Sequence, residues 1–208
     1  MPHPTTRGPR ASRAARTTAV LRPAVLDAVA KGGYAAVTIE GVAAATGVAK
    51  TTIYRRWRSK AEMVFDVVLA ASPDLPVVAD TGSLAADLRS LVERVTALVC
   101  EEPGRTVLPG IIADMAGDPV LAERFRSAVV TGARPVIAAP LVRAVERGEI
   151  PDARAAAHVQ AALLGTLFAW THILPDPLPA DLTDRLVAQL LALVDVAERG
   201  PESQGSTP

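Results

Sequence analysis

The chain has 208 residues, half of them hydrophobic but only 3% aromatic, with one cysteine, Cys100. That length can bury a real core in one large domain or two small ones. The dominance of Ala, Val and Leu favours helices over a sheet sandwich, and a lone cysteine excludes an intramolecular disulfide framework and suits a reducing cytoplasm. The net charge of zero hides an asymmetry. Residues 1–60 hold eleven Lys and Arg against Asp27 and Glu40, a net +9, which leaves −9 on the remaining 148. The head alone therefore suits a polyanionic partner, a solvated basic face being the bland alternative.

In chain order, residues 1–15 lack apolar periodicity and are expected to form a flexible basic arm. Residues 1–18 also lack the apolar run of a signal peptide. Arg7, Arg10, Arg13 and Arg16 recur every three residues; they either enter a flanking minor groove or add little. The first helix is expected over Thr17–Lys31, with Val20, Ala24, Leu26 to Ala28 and Val29 on its apolar face, Pro23 in its opening turns and Gly32-Gly33 as its stop. Thr38 caps a short helix, IEGVAAAT, that Gly47 ends. A second short helix, AKTTIYRRW, follows. Ser59 with Glu62 reads as a capping box opening a helix from Lys60 to about Ala71, and the Pro- and Gly-containing stretch 72–83 reads as a linker.

Beyond it, helices are expected near Leu84–Cys100, Val107–Ala116, Pro119–Gly132, Pro135–Arg147, Ala153–Leu174 and Asp181–Arg199. Asp118-Pro119 is a helix start, while Pro135 and Pro140 should break or kink a long helical stretch. The apolar run Ala161–Leu174 is shorter than the roughly 20 residues of a membrane span, so no membrane partner is expected. The tail, 200–208, should be disordered. No stretch alternates as a strand. The predicted class is all-α: a three-helix helix-turn-helix domain at 16–71 and a helical regulatory and dimerisation domain at 84–199.

Within Thr38–Trp57, the residues Val42, Ala43, Val48, Ile53 and Trp57 are spaced to share a core with the first helix, and Gly47 supplies the turn. Lys50, Thr51, Thr52, Tyr54 and Arg55 remain outward, a small, polar, cationic set suited to a DNA major groove. The capped starts at Thr38 and at Ser59–Lys60 suit phosphates on either side.

The segment GYAAVTIEGVAAATGVAKTTIYRRWRSKAEMV resembles the DNA-binding region of the TetR family of bacterial transcriptional regulators over about residues 17–67. The resemblance implies that Thr38, Tyr54 and Lys60 hold phosphates of double-stranded DNA and that Lys50, Thr51, Thr52 and Arg55 face the groove. Two departures stand out: Ala49 where the family often has Ser, which removes a cap worth on the order of 1 kcal/mol, and Thr51 where glycine is common. The C-terminal half is similar, more loosely, to the family's regulatory domains. That likeness implies a homodimer built from the last two long helices, a small-molecule effector, a palindromic operator and a repressor's role.

The last two helices are apolar enough to agree. Val159, Leu163 and Leu167 with Leu186, Leu190 and Leu193 are assigned to the dimer seam, although one domain core could also hide them. Leu108, Ile111, Met115, Phe125, Val129, Phe168, Trp170 and His172 are candidates for lining an effector pocket, each equally readable as ordinary core. His158 and His172 lie about 21 Å apart on an ideal helix, too far for one metal ion, and Cys100 reads as a small core residue rather than a redox sensor. No cofactor or catalytic motif is found, so no enzyme is expected. A regulator that answers to a protein partner, or to no effector, is the other reading.

Overall fold

The computed structural model describes residues 9–70 and 78–199, with side chains over 15–69 and 78–195. The first eight residues of the expected arm 1–15, half of the expected linker (72–77) and the tail 200–208 lie outside these. Every element among the described residues is helical. They divide into two compact units, 9–70 with 102–122 and 78–101 with 123–199.

In the first unit, α1 (Pro9–Ala36) begins eight residues before the expected start. Arg and Ala are good helix formers and Pro9 can open a helix, so Arg10, Arg13 and Arg16 lie on helical backbone. The run is interrupted at Gly32 (φ −160°, ψ 24°) and Gly33 (φ 68°), where the glycine pair was expected to stop it. Its buried face is Leu21, Val25 and Val29, spaced by four. Val20, expected inside, is 52% exposed, so the true stripe is rotated by about one residue from the expected one.

Next come α2 (Ile39–Thr46), α3 (Lys50–Tyr54) and α4 (Lys60–Val64), the last continuing as a π turn over Phe65–Ala70. Arg22 donates to the Val67 carbonyl within that turn at 2.6 Å. The core joins Leu21 and Val25 to Val37, Val42, Ile53, Trp57 and Met63, each at most 2% exposed. Val48, also expected there, is only half-buried. The unit is completed by α6 (Gly104–Met115), whose Val107 and Ile111 are fully buried and which packs against α1 and α4. From the sequence this helix is expected in the C-terminal domain; Val107 and Ile111 pack it into the first unit instead.

The second unit contains α5 (Leu84–Val99), the second half of α7 (Pro119–Arg126) with the π turn Ser127–Gly132, α8 (Arg134–Glu146), α9 (Ala156–His172) and α10 (Leu182–Arg199). Pro140 sits inside α8 without ending it. Gln160, buried in α9, donates to the Val129 carbonyl in the π turn at 2.5 Å. The run Pro119–Glu146 is, among the described residues, the one long and apolar enough to cross a bilayer. It carries Arg134 near its middle and Arg143, charges that a lipid-facing helix rarely bears.

One buried carboxylate ties the start of α5 to α8. Asp87 is fully buried. Its Oδ1 accepts from the Thr81 amide and hydroxyl, both at 2.7 Å, and its Oδ2 from Arg143 Nε at 3.1 Å and Arg147 Nη2 at 3.2 Å. Burial alone would raise its pKa, but the Thr81 hydrogen bonds and the Arg143 guanidinium outweigh that and hold it at about 2, below the ordinary 3.8. Arg147 also reaches Glu149 at 2.5 Å, and Glu149 accepts from the Leu84 amide at 2.8 Å.

Removing one member of such a cluster strands the others, at a cost of about 3 kcal/mol. Asp87→Ala should lower stability by that amount in denaturant unfolding at neutral pH. Because the folded pKa lies below the unfolded one, the Asp87 contribution is complete above pH 3.8 and is lost as pH falls towards 2. Asp87→Asn should therefore lose less stability than the parent across that window.

Candidate DNA-binding site

Each end of the helix-turn-helix is set by a local rule. The Thr38 hydroxyl accepts from the Gly41 amide at 3.0 Å and caps α2. At the other end Gly47 takes φ 69°, a left-handed conformation open to glycine, and its amide reaches the Ala43 carbonyl at 3.0 Å. Ala49 then begins α3 with no side-chain cap, as its departure from Ser leads one to expect. A five-residue helix without a cap is unstable alone. It is held by Ile53, fully buried, and by the fully buried Trp57 just beyond, whose Nε1 donates to Asp66 at 2.8 Å.

With Ile53 turned inward, Lys50, Thr51, Tyr54 and Arg55 are exposed and Thr52 is half-buried. Tyr54 is 50% exposed, far more than an aromatic ring packed for stability. Arg56 lies over the Trp57 ring, 4.4 Å from its centroid. The capping box at α4 is present: the Ser59 hydroxyl accepts from the Glu62 amide at 3.2 Å, and the Glu62 carboxylate accepts from the Arg58 amide at 2.8 Å. All seven residues expected at DNA thus lie in one unit, Thr38 exposed before α2, five on or beside α3, and Lys60 half-buried at the start of α4.

Two partners were not read from the sequence. Glu40 lies 3.4 Å from Lys50, both more than half exposed, and its carboxyl is held below the usual range by its own backbone amide and then by Lys50. Glu40 precedes Lys50 by ten residues, a separation at which only the turn geometry brings two side chains together. Tyr34 is the other. The Lys60 ammonium stands 4.0 Å from the centroid of its ring and donates to its carbonyl at 3.3 Å, while the Tyr34 hydroxyl donates to Asp114 of α6 at 2.6 Å. Burial first, and then Asp114, push the Tyr34 pKa far up, so the phenol stays a protonated donor. The Gly33-Tyr34 pair was visible as a motif, but its partner 80 residues away was not.

The effector candidates do not form one group. Leu108 and Ile111 are buried and Met115 half-buried in α6 of the first unit, whereas Phe125, Val129, Phe168, Trp170 and His172 are half-buried in the second. Of these, Phe168 and His172 pair with ring centroids 4.6 Å apart. Near them in sequence, the Thr171 hydroxyl lies 2.7 Å from the Leu167 carbonyl and 3.0 Å from Cys100 Sγ. Burial pushes the Cys100 thiol up, the opposite of what a reactive thiolate needs. The proposed seam also needs correction. Val159, Leu163, Leu167, Leu186 and Leu190 are at most 1% exposed inside the single chain, and Leu193 is half-buried. The first five fill the unit's own core and are not free to meet a second copy.

With this geometry in view, a family model described as "Bacterial regulatory proteins, tetR family" matches residues 26–67, and one described as "Tetracyclin repressor-like, C-terminal domain" matches 78–190. An uncharacterised HTH-type transcriptional regulator of Mycobacterium bovis is 30% identical over 161 residues, 76% of this chain and 78% of the relative. The DNA-binding transcriptional repressor TetR of Mycobacteroides abscessus is 32% identical over 66% of this chain and 73% of its own length. Among solved structures, a TetR family transcription regulator superposes with a TM-score of 0.72 at 29% identity, covering 86% of this chain and 98% of that one. Capped short helices, an outward cationic face and matches along both halves converge: this chain belongs to the TetR family of helix-turn-helix transcriptional regulators.

Proposed function

We propose that the protein is a cytoplasmic homodimeric repressor that grips a palindromic operator and releases it when a small, largely apolar effector binds the second unit. The observation that carries the DNA part is the exposed row Lys50, Thr51, Tyr54 and Arg55 on a helix pinned from behind by Ile53. Thr51, Thr52 and Arg55 suit base edges and Thr38, Tyr54 and Lys60 suit phosphates. Two such helices about one DNA turn apart read a twofold-symmetric site.

For the dimer, the exposed faces of α9 and α10 are more apt than the buried leucines. Ala157, Ala161 and Gly165 on α9 and Ala188 and Ala192 on α10 are exposed and recur every four residues. A Cβ added at Gly165 would meet nothing. Ala161 lies two residues from Val159 and Leu163, about 200° around the helix, which is why α9 is apolar on both sides. Small side chains let a second pair of helices approach closely. For the effector, Phe125, Val129, Phe168, Trp170 and His172 supply apolar and aromatic surface. The Thr96 hydroxyl oxygen of α5, buried without a hydrogen bond, is a candidate polar anchor.

Selection of bound duplexes from a random pool should return inverted repeats. On the selected operator, Arg55→Ala and Thr51→Ala should change which bases are preferred. Tyr54→Phe and Lys60→Ala should weaken binding to all sequences alike, Lys60→Ala also lowering the salt slope by about one. Glu40→Gln, which frees Lys50 and removes a negative charge, should tighten binding. If Arg55→Ala and Thr51→Ala select the parent's sequences unchanged, α3 does not read bases. Sedimentation should show a dimer for the parent and a monomer for Ala161→Glu. A panel of apolar compounds should include one that changes Trp170 fluorescence and releases operator. Silence across the panel would favour a regulator without a small-molecule effector.

A further inference from the structure

We infer that Tyr34 is a positioning residue for DNA binding: held in place by Asp114 of α6, it fixes the Lys60 ammonium for a backbone phosphate. The inference rests on the reading that Lys60 meets phosphate, and it brings into the DNA grip a helix that contributes none of the expected contacts. All four participating pieces lie in the first unit. The Tyr34 ring lies against α6 at Gly110, where an added Cβ would come within 2.6 Å of the ring's Cγ. One turn on, Asp114 accepts the hydroxyl at 2.6 Å. The same ring faces the Lys60 ammonium at 4.0 Å, and the Tyr34 carbonyl accepts a hydrogen bond from it at 3.3 Å.

This arrangement does two things for a lysine that must hold an anion. A free lysine side chain samples many rotamers and must surrender them on binding; one already held surrenders them before DNA arrives. The ammonium has three donors, and the Tyr34 carbonyl engages one, so donors remain for a phosphate oxygen. A phenol that donates to a carboxylate is also more electron-rich in its ring, which strengthens the hold on the cation. Asp114 is therefore an acid that favours binding to a polyanion, against the sign of its own charge.

That sign makes the test. Affinity of the full chain for a mixed-sequence duplex is measured by anisotropy across a salt series for the parent, Tyr34→Phe, Asp114→Ala, Asp114→Asn, Lys60→Met and the Asp114→Ala/Lys60→Met pair, with thermal unfolding as a check on each. Loss of an acid alone should tighten binding. We expect Asp114→Ala instead to weaken it about twofold to fivefold, Tyr34→Phe to weaken it similarly, and Asp114→Asn, which keeps an acceptor for the hydroxyl, to retain parental affinity or better. In the Lys60→Met background Asp114→Ala should cost nothing further. Asp114→Ala binding as tightly as the parent or tighter overturns the inference, as does an equal loss in both backgrounds. If Lys60→Met leaves affinity and salt slope unchanged, the phosphate reading of Lys60 is what failed, and the positioning role falls with it.

Discussion

The face proposed to meet DNA depends on burying two side chains, Ile53 and Trp57, from a segment too short to be a helix by itself. Five residues close too few hydrogen bonds to offset the cost of nucleation, and Ala49 offers no cap. Both side chains are fully buried, and their burial orients everything else: with Ile53 inward, Lys50, Thr51, Tyr54 and Arg55 have nowhere to point but out. Trp57 adds a directional tie through its hydrogen bond to Asp66, which joins the segment just past α3 to the π turn that continues α4. The outward face of α3 is thus a by-product of core packing, and its precision is inherited from the rigidity of that core.

Much of this was legible in the sequence because it rests on short-range rules. The caps at Thr38 and Ser59, the glycine turn at Gly47 and the outward row on α3 all depend on residues within a few positions of one another, and each was readable from spacing alone. What was not legible depended on distance or on degeneracy. The buried stripe of α1 was misplaced because Val20 and Leu21 are equally apolar and only the partners decide between them. The α9 and α10 leucines were assigned to a seam because periodicity reveals that a helix is greasy on both sides but not which side the chain covers itself. The better-packing leucines went to the core, and the alanines and Gly165 were left outside. The membership of α6 in the head followed from contacts some 80 residues apart, such as Tyr34 with Asp114, which no local pattern announces.

Charge is handled differently in the two units. In the second, acids and arginines neutralise one another around buried Asp87, a closed cluster that fixes the start of α5 against α8. In the first, cations are left open on one face, and the acids that approach them, Glu40 beside Lys50 and Asp114 behind Tyr34, hold them in place without burying them. The overall neutrality of the chain comes from a basic head, +9 over residues 1–60, offset by −9 on the rest, and it conceals the charge that matters for a polyanion.

The row from Lys50 to Arg55, flanked by Thr38 and Lys60, is proposed as the surface that meets DNA. Amide hydrogen exchange of the full chain, free and saturated with duplex, tests it most directly. New protection is expected at the start of α2, along α3 and at the start of α4, with α9 and α10 unchanged. Protection confined to the second unit, with α3 exchanging as in the free protein, would contradict it.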